Sequence, residues 1–431
     1  MADWTNWSGT AACAPARVER PASEAAVVEA ILRARAEGQP VKVRGTGHSF
    51  TDAACTDGVM ISLDRCDGIV SVDPGGGTVT VQAGITLRAL NGFLARHALA
   101  MSNLGDIAYQ SVAGATQTAT HGTGLRFGNL STQIRRVRLV DGCGTIHELS
   151  ADHDPEAFQA ARAGLGALGV VTEVTIDVEP AFDLLAVEEP RDLDDLLPRL
   201  DELAEAEEHF EFYWLPHTPR TLTKRNVRTR EPRSTRSVWK SFRNEVLLAN
   251  AAIGALCRIG RARPSLIPAL NARFAAEFGR TRVIDRSDRV FTSPRYLRFA
   301  EMEYAIPRAA ATEALQRLRR MIDETGLRVS LPVEVRFVAA DDIFLSPSYE
   351  RQTCYIAVHM YRGTDYRPYF SQVERIMLPL GGRPHWGKLH GLRADVLSGL
   401  YPAWDRFLAV RDRLDPDRTF ANAYLDRVLG P

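Results

Sequence analysis

Residues 44–49 read RGTGHS, at the end of a strand-like run in which Val41 and Val43 alternate. Gly45 and Gly47 permit positive φ and close backbone approach, so successive amides there can cradle a pyrophosphate. Taken alone, a histidine beside such glycines is more often part of an ordinary tight turn. The loop is not a GxGxxG opening a helix, so a nicotinamide dinucleotide site is not indicated. A second segment, residues 103–124 (NLGDIAYQSVAGATQTATHGTG), is rich in Gly, Ala, Ser and Thr and nearly free of charge. Small residues with hydroxyls and free amides suit a long, extended, phosphate-bearing ligand. The bland alternative is a packed loop at a domain seam, and two such segments in one region weaken it.

Two further stretches carry chemistry. In GGRPHWGKLHG (residues 381–391), His385, Trp386 and Lys388 crowd between turn residues. A lysine among aromatic and small groups can be desolvated and used for acid/base or electrostatic work; it can equally be a surface lysine on a turn. In VEVRF (residues 333–337) strand periodicity puts Glu334 and Arg336 on one face, with Val333, Val335 and Phe337 on the other. Such a pair can bind hydroxyls, although more often it is a solvent-facing ion pair of little worth.

The elements that must hold these residues are legible in outline. Ser23 is placed to cap a helix that carries Val27, Val28, Ile31 and Leu32 at helical spacing and stops at Gly38. A second amphipathic helix runs from about Thr86 to His97. Residues 134–149 read as two strands around a glycine-bearing turn, and residues 165–180 end in a long strand closed by Pro180. Beyond that point come acidic helix patterns, a basic run from Lys224 to Arg243, and strands around residues 333–340 and 354–361, as in a second α+β domain. The tail, from Leu400 to about Leu425, reads as helical and then irregular, placed to pack back on the first domain.

Composition bounds the rest. A chain of 431 residues is long enough for two domains and a large core. Lys+Arg and Asp+Glu are both 53, a balance that argues against nucleic acid as the main partner. None of the 6 cysteines has CxxC spacing, so no zinc or dithiol motif, and no metal, is expected. The start has no basic and apolar leader pattern, so free thiols in a cytoplasmic protein are the expectation. The basic run and the apolar residues 246–260 admit two readings. One is a membrane-surface helix, with peripheral membrane contact through residues 224–260. The other, favoured by composition, is a helix buried on one face beside a solvated basic loop.

Taken together, RGTGHSF, the segment 103–124, VEVR with HMY, RPHWGK and the closing FANAYL resemble the sugar-1,4-lactone oxidase and alditol oxidase branch of the vanillyl-alcohol-oxidase-type flavoproteins. The resemblance covers nearly the whole chain. It implies a two-domain α+β flavoprotein: a PCMH-type FAD-binding domain over residues 1–178, rejoined by residues 398–431, and a cap or substrate domain over residues 179–397. It implies an enzyme that oxidises CH–OH groups and holds FAD covalently through His48. Arg44, Gly45, Thr46, Gly47 and Ser49 would wrap the pyrophosphate. Gly105, Asp106, Ser111, Gly114, Thr118, Ala119, Thr120, His121 and Val171 match further positions at the flavin. Glu334 would bind substrate hydroxyls, Arg336 would stabilise negative charge, and Lys388 would contact the reacting hydroxyl and help remove its proton. His359 and Tyr361, on alternate strand positions, would face the same pocket. Alditol oxidases have a small Thr where Tyr361 stands and a Ser in place of Asp106, so the resemblance favours a cyclic aldonolactone over an open polyol. A small residue at Gly105 favours molecular oxygen as acceptor, with a dehydrogenase using another acceptor as the alternative. The number of subunits is not legible in the sequence.

Overall fold

The computed structural model describes residues 4–234, 249–293 and 297–431. In the first part of the chain, Val41–Arg44 and Arg17–Glu19 both lie parallel to Val59–Ser62 in a 3-stranded sheet. The helix Glu24–Ala36 covers it. Ser23 caps that helix by accepting from the Ala26 amide, and Val27, Ala30, Ile31 and Ala34 are its buried face. A 5-stranded antiparallel sheet follows, in the order Ile146–Ser150, Ile134–Val140, Val170–Asp177, Thr78–Gln82, Ile69–Asp73. The second amphipathic helix is Leu87–Arg96, capped by Thr86. Between these elements run the two glycine-rich segments.

The later part of the chain is built on an 8-stranded sheet. Its central strands are His209–Trp214, Val333–Val338, Thr353–Tyr361 and Phe299–Pro307, all antiparallel neighbours. Period-two alternation divides this sheet into two unlike faces. One face, with Val333, Val335, Phe337, Ile356, Val358, Met302 and Tyr304, is continuous with Leu315 and Leu318 of the helix Ala311–Thr325 and with Phe370 and Val373 of the helix Arg367–Met377. The other face carries Glu211, Glu334, Arg336, His359, Glu301 and Glu303, and it looks toward the glycine-rich segments.

Two expectations are corrected here. The tail is helical over Trp404–Leu414 and irregular through residues 415–422 as expected, but it does not end so: Asn422 caps a further helix, Ala423–Leu429, through the Leu425 amide. The basic run is a solvated loop only in part: residues 224–229 belong to the strand Arg220–Thr229, and residues 230–233 beyond it are exposed coil. Lys224, Arg225, Arg228 and Arg233 meet Glu211, Glu207, Glu179 and Asp183 respectively. The rest of that run, including Arg236, Lys240 and Arg243, lies outside the described residues. Among the described residues no helix is long and apolar enough to cross a membrane.

The tail returns to the first sheet. The Val41 amide donates to Thr419 O at 2.7 Å, and Lys42 Nζ donates to Phe420 O at 3.1 Å and Gly166 O at 3.3 Å. Asn422 Nδ2 reaches the carbonyls of Asp52, Ala53 and Cys55.

Candidate active site

Two cavities meet at the first glycine-rich loop. The larger, about 420 Å³, runs past Arg44, Gly45, Thr46, Gly47, Ser111 and Gly114 to Val171. The smaller, about 100 Å³, is the polar chamber over the charged face of the 8-stranded sheet. His48, Ser49, Gln110 and Thr118 line both. A ligand lying along the larger cavity therefore presents one end to the chamber.

The cradle is built for close backbone approach. Gly47 has φ +78, a conformation that L side chains rarely adopt. A Cβ on Gly45 would stand 2.5 Å from Ser111 Oγ, and one on Gly114 2.9 Å from the same atom. Ser111 Oγ is itself fixed, because it accepts from the Gly114 amide at 3.2 Å. A glycine-walled groove of this length suits a dinucleotide, whose phosphates need free amides and no intervening side chains. The residues present thus fit a flavin dinucleotide with its ring system toward the chamber. Burial, then the charge of Lys388, lowers the His48 pKa, so its imidazole is neutral at the junction.

Strand register assembles the chamber. Glu211 pairs with Arg336, Glu334 with Ala357, Glu303 with the same Ala357, and Glu301 with His359. Residues opposite one another across antiparallel strands share a face, so four strands deliver their polar groups to one site. Arg336 is 7% exposed and is held by three carboxylates: Glu334 Oε1 at 2.5 Å, Asp106 Oδ1 at 3.2 Å and Glu211 Oε2 at 2.8 Å. The Glu211 contact is an ion pair not aligned as a hydrogen bond. Lys224 Nζ adds a second cation 3.2 Å from Glu211.

Lys388 arrives on the loop that follows the short strand Arg383–Pro384. Its Nζ lies 2.6 Å from Glu301 Oε2 and 5.0 Å from the centre of the Phe50 ring. Glu301 Oε1 is 3.4 Å from His359 Nε2, and His359 Nδ1 donates to Pro332 O at 2.8 Å. Glu303 Oε1 is 3.2 Å from His121 Nε2, while His121 Nδ1 donates to Gly122 O at 2.9 Å. A carbonyl can only accept, so each ring carries a proton on Nδ1. Burial works to raise the Glu301 carboxyl, but Lys388 and His359 outweigh it and hold it at about 2. Burial is likewise overcome at Glu303, where His121 and Lys388 hold the carboxyl far below the usual range. Both stay ionised at neutral pH.

His121, Glu303 and His385 offer ligand atoms within 4.8 Å of one another, the spacing of a cation site. The hydrogen bonds speak against a metal there. His385 Nδ1 accepts from the Gly387 amide at 3.0 Å, which puts the ring proton on Nε2, where a ligand lone pair would be needed.

Of the residues singled out in the sequence, Asp106, Thr118, Thr120, His121, Glu334, Arg336, His359 and Lys388 line the chamber. Gly105 and Ala119 line neither cavity. A Cβ on Gly105 would meet His121 O at 2.9 Å, and Ala119 packs with Ala163 and Ile343. Tyr361 is also absent from the lining. It shares a sheet face with His359 and is the direct cross-strand partner of Phe299, packed against the cluster of Phe299 and Cys257 with Arg261 over its ring. The wall that Tyr361 was expected to form is formed by Trp7, Phe50 and Phe299, whose rings contact one another. Sequence reasoning missed Glu301 and Glu303 in FAEMEY, and Glu211 in HFEFYW. The available signal was a pair of acidic residues at alternate positions of an otherwise apolar strand, which puts buried carboxylates on one face.

A family model described as D-arabinono-1,4-lactone oxidase matches residues 174–428, and one described as an FAD binding domain matches residues 15–150. The L-gulono-1,4-lactone dehydrogenase of Mycobacterium tuberculosis is 46% identical over 428 residues, covering 99% of each chain. The L-gulonolactone oxidase of Bos taurus is 37% identical, covering 98% of this chain and 97% of its own. An alditol oxidase of a Streptomyces species is 30% identical across 99% of this chain and 98% of its own. Among solved structures, a solvent-stable cholesterol oxidase superposes with a TM-score of 0.83 at 19% identity, covering 99% and 97% of the two chains; it shares the fold.

Proposed function

The chain belongs to the D-arabinono-1,4-lactone oxidase family, and from that premise we propose that it is an FAD-dependent oxidoreductase converting a secondary carbinol of a sugar-1,4-lactone to the ketone. The observation that carries this reading is the junction of the two cavities at His48, Ser49, Gln110 and Thr118. A flavin dinucleotide held along the larger cavity would have one end at this junction, beside the chamber that Lys388, Glu334 and Arg336 line. FAD, when bound, supplies the two-electron acceptor for the carbinol hydrogen.

The chain's own residues orient the sugar and manage charge. The carboxylates of Glu334 and Asp106 accept hydrogen bonds from substrate hydroxyls. Arg336 balances them and stabilises negative charge at the flavin end of the chamber. Lys388 Nζ contacts the reacting oxygen and stabilises it as its proton leaves. Glu301 holds Lys388 in place and stays ionised, so it anchors the ammonium and takes up no proton itself. Trp7, Phe50 and Phe299 close the chamber on one side, which excludes water from the reacting carbon.

His48 is the residue we assign to a covalent flavin link. Its imidazole, kept neutral by burial and by Lys388, stands at the junction of the two cavities, where it would meet the ring end of a dinucleotide. Acid-precipitated wild-type protein should keep its yellow colour, and His48→Ala should lose it; retention of colour by the variant removes the assignment.

Molecular oxygen is the proposed final acceptor, giving hydrogen peroxide. A second acceptor class is favoured by the 46% identical relative, which bears the name dehydrogenase. The deciding experiment is anaerobic mixing with sugar-1,4-lactones and with alditols while the visible flavin band is followed. Bleaching by lactones supports the proposal, and bleaching by alditols alone overturns it. Admitting air then tests oxygen directly, since an oxidase recovers its band within seconds and a dehydrogenase only with an added acceptor.

A further inference from the structure

One row across the 8-stranded sheet is a line of charge. Glu188 stands opposite Lys224, Lys224 opposite Glu211, and Glu211 opposite Arg336. Residues opposite one another across antiparallel strands share a face, so the signs alternate along one side of the sheet. The outer end is tied down where Glu188 accepts from Thr281 Oγ1 at 3.0 Å. The inner end is Arg336, which lines the chamber, whereas Lys224 and Glu211 line neither cavity. Ions in such a place give up solvation and need a partner. At the chamber end the same row can also act on chemistry.

Glu211 is the shared member. Its Oε2 lies 2.8 Å from Arg336 Nε, and its Oε1 lies 3.2 Å from Lys224 Nζ. Lys224 Nζ also donates to Val290 O at 3.5 Å, on the short helix Ser287–Phe291. Burial works to lower the Lys224 pKa, but Glu211, Asp106 and Glu188 outweigh it and raise it, so the side chain is an ammonium at neutral pH. That charge bears on Arg336. Glu334, Asp106 and Glu211 set three carboxylates about one guanidinium, and together these groups carry excess negative charge. Excess negative charge opposes further negative charge at the flavin end. Lys224 offsets one of the three carboxylates. It also engages Oε1 of Glu211, which leaves Oε2 alone to draw Arg336 back toward the strand His209–Trp214.

We propose that Lys224 is a positioning residue for the redox step: through Glu211 it holds Arg336 toward the chamber and keeps the field at the flavin end favourable to reduction. This rests on the flavin reading of the larger cavity. Its first readout needs bound flavin and no substrate.

That readout is the midpoint potential of the bound flavin, measured by equilibration with a reference dye. Lys224→Met removes the charge and keeps the length. It should lower the equilibrium constant for flavin reduction on the order of tenfold, which is about 30 mV for a two-electron couple. Glu211→Gln removes the opposite charge and should raise the potential by a similar amount. The double variant loses one charge of each sign and should return close to wild type, and Lys224→Arg should keep the wild-type value. A merely structural role would lower the thermal midpoint of both single variants without moving their potentials in opposite directions. Should Lys224→Met lose its flavin, Lys224→Gln, which can still donate to Val290 O, carries the same expectation. Anaerobic reduction by substrate gives the second readout. Its limiting rate in Lys224→Met should fall about 10-fold, with the half-saturating substrate concentration within about 3-fold of wild type, because Lys224 does not reach the chamber. Single variants whose potentials shift in the same direction, or do not shift, overturn the proposal, and so does a loss confined to substrate affinity. Wild type that binds no flavin would instead remove the reading on which the proposal rests, so the two failures are distinguishable.

Discussion

At the scale of single residues, the chamber is a set of paired charges with few loose ends. A buried carboxylate or guanidinium survives only with partners, since the solvation it loses costs several kcal/mol per ion. Glu301 shows what that pairing does for chemistry. It is the shared partner of Lys388 and His359, so it fixes both side chains at one side of the chamber. Glu301→Gln keeps the size and loses the charge. The variant should still bind flavin, which lies on the other side of the junction. Its anaerobic flavin reduction by substrate should slow by roughly 10- to 100-fold, because the Lys388 ammonium has lost the carboxylate that holds it. A rate like that of wild type, measured by stopped flow, would show that Lys388 needs no such anchor.

At the scale of elements, function comes from strand register and from two glycine-rich loops. A strand shifted by one residue would turn Glu334 and Arg336 into the core and Val335 into the chamber, so the register is pinned by both faces at once. Ala357 stands between Glu303 and Glu334 in the register, where its lone Cβ leaves the two carboxylates room. The loop at residues 44–49 depends on backbone closeness in a way that can be measured. In Gly45→Ala the new Cβ meets Ser111 Oγ at 2.5 Å, and turning Ser111 away breaks its bond to the Gly114 amide. Losing that cap costs about 1 kcal/mol, and the methyl group also intrudes on the cofactor groove. Flavin content of the purified variant should fall severalfold. Gly279→Ala, where nothing lies within 4 Å of the added atom, is the matched control and should keep its flavin. Equal flavin in both variants would mean that the groove does not need the missing side chain.

At the scale of the whole molecule, the tail locks the first sheet. Lys42 is 2% exposed and donates to carbonyls of Phe420 and Gly166, which a neutral amine can do with its two protons. Burial lowers its pKa to about 7 from 10.5, against the upward pull of Asp415. Between those two values the unfolded chain binds the extra proton and the folded chain does not. Stability therefore rises with pH from about 7 to 10.5, and the penalty is fully present below about 7. The rise is on the order of 5 kcal/mol in full. The thermal midpoint of wild type should accordingly climb relative to that of Lys42→Met as pH rises over this window, with the variant the less pH-sensitive. Parallel curves would mean that Lys42 keeps its proton in the folded state.

What the sequence determined by itself was local or carried by short motifs. Ser23, Thr86 and the alternation of VEVRF specify their helices and strand because caps and periodicity act within a few residues. The glycine-rich loops announced a phosphate-bearing ligand because only small residues allow that approach. Glu334 with Arg336 read most simply as a solvent-facing pair, and burial reversed that reading, because exposure depends on what the sheet faces. Tyr361 and Phe299 are direct cross-strand partners, yet the chamber is lined by Phe299 and not by Tyr361. Glu301, Glu303 and Glu211 come from strands far apart in the chain, and nothing local distinguishes them from other acidic residues. Their role arises when antiparallel register sets them opposite His359, Ala357 and Arg336 on the face that lines the chamber. Pairing between distant strands is a tertiary event, and it decided which of the legible residues share a site.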